Sequence, residues 1–180
     1  GIIIEYLLYG DVSQNGDVSL YDASLVLKYL VGTVTLDETQ LMAAEVTQDG
    51  TVSALDATAI AQYVIEIIDE LPIEDTQDLA GSGEFIINDS EFIPGDLLEI
   101  PIILTEGDNL LSFEIDLMYD PEIVSFENIV WSDMIGHFTI EENFEDGSIR
   151  VAGSGTSPDG EEGVFATVSL FVSGNFNDET

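Results

Sequence analysis

Asp11, Ser13, Asn15 and Asp17 occupy alternate positions around Gly16, and Asp22 closes the run. Thirty-four residues further on, Glu45, Thr47, Asp49 and Thr51 repeat the spacing around Gly50, and Asp56 closes it. A twelve-residue loop with side-chain oxygens at positions 1, 3, 5 and 12, the carbonyl of position 7 and a turn-making glycine at position 6 can surround Ca2+. The chemistry to expect is therefore Ca2+ binding at two sites, one per copy. Position 8 is valine in both copies, Val18 and Val52, which predicts a short strand pairing the loops across a pseudo-twofold axis.

Other chemistries find little support. The chain has no cysteine, so disulfides, thiolate metal sites and cysteine nucleophiles are excluded. No nucleophile elbow, phosphate loop or zinc spacing is present, and no catalytic residue is assigned. His137 is the single histidine and has no recognisable partner. Pairs of carboxylates occur throughout so acidic a chain and carry no information about glycoside hydrolysis. Trp131 and the tyrosines could stack on a sugar, but aromatic residues of a sandwich belong more often to its core. Asn88-Asp-Ser90 is an N-glycosylation sequon, open to modification only in a secreted protein.

Charge narrows the partners. Thirty-seven Asp and Glu residues face Lys28 and Arg150 alone, a formal net charge of -35. Such a surface repels nucleic acid and anionic membranes, which bind through Lys and Arg. Either a divalent-cation binder in a calcium-rich medium or a carboxylate coat suited to high salt accounts for the excess. Both place the protein outside an ordinary cytoplasm, in the extracellular space or at the cell surface. The opening segment, Gly1 to Tyr9, is apolar but lacks a basic flank and is far shorter than the ~20 residues of a membrane helix, so neither membrane insertion nor a targeting role is expected.

The elements that must position the loops are legible from periodicity. Residues 2–9 are β-branched and aromatic and predict a strand entering loop one, where a standard EF-hand has a helix. After Asp22, Ala23, Val26, Leu27, Leu30 and Val31 recur at helical spacing up to Gly32. A capping box at Thr35-Leu-Asp-Glu38 predicts a second helix running through Leu41 and Met42 into loop two. A third comes after Asp56, with Ala57, Ile60, Ala61, Val64 and Ile68 on one face, and ends near Pro72. Residues 73–83 are polar, close on Gly-Ser-Gly and read as a linker. From Glu84 the period becomes two, with strands expected at 84–88, 97–104, 112–119, 123–130, 137–143, 148–153 and 166–172 between Pro-Gly, Asp-Pro and Asp-Gly turns. Short, evenly spaced strands of this kind predict an all-β sandwich.

A loop without an entering helix, an exiting helix after each loop, Asp at position 12 and a single repeat of the unit together resemble a dockerin, over residues 10–72. The resemblance implies partner selection at loop positions 10 and 11, here Leu20 and Tyr21, then Ala54 and Leu55. Ile93-Pro-Gly-Asp96, Ile100-Pro-Ile-Ile103, Phe113 to Pro121 and Gly163 to Val168 occur in the order of a cohesin, the jelly-roll receptor for dockerins. The fold class expected is thus multidomain α+β: a small all-α duplicated module, then a cohesin-like jelly roll over 84–180. Loop two begins with Glu45 where the family has Asp, and Ser13 and Thr47 replace stronger ligands, so both sites should be weak and the second weaker. The sandwich is expected to lack its last strands, and residues 1–9, or the same strand from a neighbour, to complete it.

Loops, charge and resemblance together predict a non-catalytic, calcium-dependent scaffold protein whose modules join head to tail into a polymer, fibre or surface array. Its expected partners are cohesin- or dockerin-like modules, above all copies of itself. The alternative is a carbohydrate-binding or scaffold region of an extracellular carbohydrate-active enzyme complex, with polysaccharide as ligand.

Overall fold

A computed structural model of the chain describes residues 7–73, 79, 83–107, 110–159 and 162–173. Three helices come first, α1 Leu20–Leu30, α2 Glu38–Ala44 and α3 Ala54–Val64. Seven strands come after them: β1 Glu84–Ile87, β2 Leu97–Thr105, β3 Leu110–Met118, β4 Val124–Trp131, β5 Phe138–Glu145, β6 Ser148–Asp159 and β7 Gly163–Val172. The architecture is α+β, as expected.

Both long helices begin earlier than periodicity suggests. α1 starts at position 10 of loop one, with Ser19 as N-cap, and α3 starts at position 10 of loop two, with Ser53 as N-cap. The Ser-x-x-Asp spacing at each loop end is itself a helix-start signal, so Asp22 and Asp56 belong to the loop and to the first helical turn at once. α2 is capped by Asp37 and Gln40 rather than by Thr35 and Glu38: Asp37 accepts the Gln40 N–H at 2.9 Å and Gln40 accepts the Asp37 N–H at 3.1 Å. α3 stops at Val64, well short of Pro72, because Glu66 adopts a left-handed φ of 62°. Val18 and Val52 form no ladder; each sits partly buried against the helical core instead. The expected N-terminal strand lies for the most part outside the described residues, and Leu7 and Leu8 are not in a strand.

The strands form two antiparallel sheets, ordered β1-β2-β7-β4 and β3-β6-β5. Alternation sends Phe113, Ile149, Val151, Val168 and Leu170 inward, and a register shift between β2 and β7 at Phe165 turns that ring inward as well, so that all are buried between the sheets. Phe113 and Phe165 meet edge to face with centroids 4.9 Å apart, and Trp131 packs edge-on against Phe165 at 5.8 Å. Gly153, opposite Phe113 in register, leaves room for that ring: a Cβ there would lie 2.3 Å from it. Trp131 donates its indole N–H to Glu142 at 2.6 Å, so its polar edge is satisfied within the protein.

A second core joins α1 and α3 through Val26, Leu27, Val31, Ala57 and Ile60, and it reaches beyond the helices. Leu111 of β3 and Ala152 of β6 belong to it, as do Ile73 and Leu79 from the stretch between the modules. Among the described residues no helix is long and apolar enough to cross a membrane.

Candidate calcium loops and the docking face

The duplicated sequence folds into duplicated backbone. Gln14 and Gln48, both at position 4, have φ of 59° and 55°, and Gly16 and Gly50, at position 6, have φ of 94° and 92°. Nothing lies within 4 Å of a Cβ built at either glycine, so backbone conformation rather than space demands the residue.

Carboxylates gather the loop N–H groups. Asp11, at position 1, is buried and accepts the Asn15 N–H at 3.0 Å, the Gly16 N–H at 2.8 Å and the Ser13 hydroxyl at 3.3 Å. Asp22, at position 12, is fully buried; Oδ1 accepts the Ser13 N–H at 2.8 Å, and Oδ2 the N–H and hydroxyl of Ser19 at 2.9 and 2.8 Å. In loop two, Glu45 accepts the Gly50 N–H at 3.1 Å. Asp56 Oδ1 accepts the N–H groups of Val46 and Thr47, each at 2.9 Å, and the Thr47 hydroxyl at 3.0 Å, while Oδ2 accepts the Ser53 N–H at 2.8 Å. Asn15 and Asp49 each accept the N–H two residues on, at 2.8 Å, and remain exposed with Asp17 and Thr51.

These donors suit a hard cation, but sparingly. Among the described residues no three acidic or histidine side chains converge as a metal-holding group, so hydroxyls, a carboxamide and carbonyls would have to complete each shell. Burial pushes the Asp56 carboxyl above the usual carboxylate range; bonds from Thr47 and Ser53 oppose the shift and the nearby Asp49 charge adds to it. A buried anion held mainly by neutral donors has an electrostatic reason to favour a cation nearby.

The positions expected to select a partner divide between the copies. Leu20 and Tyr21 are 53% and 55% exposed, with Lys28 Nζ 5.9 Å from the Tyr21 ring centroid. Ala54 is buried and Leu55 half-buried, because the start of α3 lies against the β3-β6-β5 sheet. In register across that sheet stand Glu114, Ala152 and Glu141, one from each strand. Glu114 accepts the Ala54 N–H at the α3 N-terminus at 2.9 Å. Glu141 accepts the Ser24 hydroxyl at 2.8 Å and lies 3.6 Å from Lys28 Nζ. Thr58, fully buried, donates to the Leu111 carbonyl at 2.9 Å, and Asn143 donates to the Val31 carbonyl at the end of α1, also at 2.9 Å.

Sequence reasoning did not single out Ser24, Thr58, Glu114, Glu141 or Asn143. The available signal was α3 itself: Ala54, Ala57, Ala59 and Ala61 surround it, and every residue from Asp56 to Gln62 is buried. A helix apolar and small on all sides is covered on all sides. Asn88 is exposed between β1 and β2, and His137 is exposed just before β5 with no acidic or histidine cluster around it among the described residues.

Loop, exiting helix, loop, exiting helix, and then an antiparallel sandwich define the architecture of the chain. Residues 9–65 match the dockerin type I domain. No curated protein matches the chain. Among solved structures it is similar to one of the sixth cohesin of scaffoldin B from Acetivibrio cellulolyticus in complex with a mutant Cel5 dockerin, at 18% identity and a TM-score of 0.46, covering 54% of this chain and 76% of that one. It is likewise similar to a non-cellulosomal cohesin from Archaeoglobus fulgidus, at 18% identity and a TM-score of 0.46, covering 53% and 68%. A structure of the third cohesin ScaC in complex with a mutated ScaB dockerin, also from Acetivibrio cellulolyticus, matches at 33% identity and a TM-score of 0.36, covering 39% of this chain and 99% of that one.

Proposed function

We propose that this chain is a non-catalytic, extracellular assembly protein whose dockerin module and cohesin-like sandwich link copies or partner modules head to tail. The observation that carries the reading is the dockerin domain at residues 9–65 in the same chain as an antiparallel sandwich. A chain that bears both halves of such a pair makes heterologous contacts, and these generate rings or open filaments. A strand donated from residues 1–9 to a neighbour's sheet is a second route to the same outcome.

Calcium enters as the stabiliser of the docking surface. Loop one, with Asp11, Ser13, Asn15, Asp17 and Asp22, is the stronger site; loop two, with Glu45, Thr47, Asp49, Thr51 and Asp56, is the weaker. Metal bound to the folded loops and not to the unfolded chain adds its binding free energy to folding. Leu20, Tyr21, Ala54 and Leu55 are the proposed contact residues. Secretion would leave Asn88 open to glycosylation.

Size-exclusion chromatography with light scattering and negative-stain microscopy, in calcium and then in EGTA, tests the reading. Oligomers or fibres that dissolve in EGTA are expected. A monomer under both conditions that is retained on cellulose or chitin would overturn assembly in favour of polysaccharide binding.

A further inference from the structure

We infer that the dockerin module is docked in cis, on the β3-β6-β5 face of its own sandwich, so that α3 and the Ser24–Lys28 side of α1 are already occupied while Leu20 and Tyr21 stay exposed. The assembly reading supplies the consequence of this inference, but the contact rests on observations of its own.

Ala152 belongs to the helical core although it lies on β6, and it is 1% exposed. Glutamates flank it on both neighbouring strands, and each receives a different helix: Glu114 the N-terminus of α3, Glu141 the Ser24 hydroxyl and Lys28 ammonium of α1. Negative charge at a helix N-terminus is favourable, so Glu114 suits the site it occupies. Asn143 satisfies a carbonyl at the opposite end of α1, and Thr58 satisfies one on β3. The contact is therefore apolar at its centre and hydrogen-bonded around it, the anatomy of a specific interface.

Charge supports the same conclusion. The chain has two basic residues, and both lie at this contact: Lys28 pairs with Glu141, and Arg150, beside Gly32 at the end of α1, lies 3.6 Å from Asp116. With 37 acidic residues repelling one another, these are the two places where the protein offsets its own charge.

A contact made within one chain competes with any made between chains. A short tether gives an effective concentration on the order of millimolar. Copies or separate sandwiches must exceed that level to replace the chain's own sheet, or else bind at the exposed Leu20 and Tyr21.

Lys28 is the only lysine, which makes zero-length carbodiimide coupling a direct test. The full chain, dilute and in calcium, is mixed in equal parts with its nitrogen-15-labelled form, coupled and mapped by mass spectrometry. The expected product is a Lys28–Glu141 amide, formed with loss of water, whose two peptides carry the same isotope. About half the links joining unlike isotopes would mean docking between chains, which overturns the cis inference and leaves the assembly reading standing. Lys28 joined only to carboxylates of residues 7–73 would overturn docking on this face altogether. A same-isotope link from a protein that never oligomerises supports cis docking and removes the assembly reading instead.

Discussion

Asp22 and Asp56 each close a loop, bind its N–H groups and begin a helix. Substituting Asp56 by Ala strands the donors from Val46, Thr47 and Ser53, and an unsatisfied buried donor costs about 1–3 kcal/mol. Asp56→Ala should therefore lower stability by about 3 kcal/mol or more, in EGTA as well as in calcium, as read by thermal unfolding. Asp49 is exposed and bonds only a local N–H; Asp49→Ala should weaken calcium binding, measured by calorimetry, with little change in the EGTA melting curve. A ligand role alone for Asp56 would instead make its variant indistinguishable from wild type in EGTA. The duplicated loop backbone was legible in sequence because the spacing around Gly16 and Gly50 carries it. The double duty of its last residue was hidden, since the same Ser-x-x-Asp letters close the loop and cap a helix.

At the scale of elements, alternation announced the seven described strands, six of them to within about three residues, because each has one face against the sandwich core, whereas β6 runs six residues past the expected 153 to Asp159. The starts of α1 and α3 came out three residues late and that of α2 early, with its cap misassigned, because several Ser, Thr and Asp residues near each start could serve as a cap and geometry decides among them. The docking face was not legible: Glu114, Glu141 and Asn143 look like ordinary solvent-facing strand residues until α1 and α3 are set against them. Glu114 offers a clean intervention, being exposed on the sheet side yet bonded to the first turn of α3. Glu114→Arg puts a cation where the helix dipole opposes it, at a cost of about 1 kcal/mol. The variant should keep its circular dichroism spectrum and show a larger radius of gyration in small-angle scattering. A radius identical to wild type would argue that Glu114 contributes nothing to the contact.

For the whole molecule, a net charge of -35 sets the conditions under which anything compact survives. Self-repulsion among exposed carboxylates is long-ranged in dilute buffer and is screened within about 3 Å at 1 M salt. The melting temperature in EGTA should accordingly rise between 0.1 and 1 M sodium chloride; a fall would mean that the Lys28–Glu141 and Arg150–Asp116 pairs outweigh the general repulsion. The docked arrangement also has a mechanical side. The helical core reaches the sandwich through Leu111 and Ala152, with a few hydrogen bonds and an ion pair around them, so tension applied across the chain should part the modules at this contact. The segment from Ile73 to Glu84 then bounds the extension at about 40 Å, and relaxation would let the modules meet again. A fibre of such units would lengthen under load in small reversible increments rather than fail at its weakest fold.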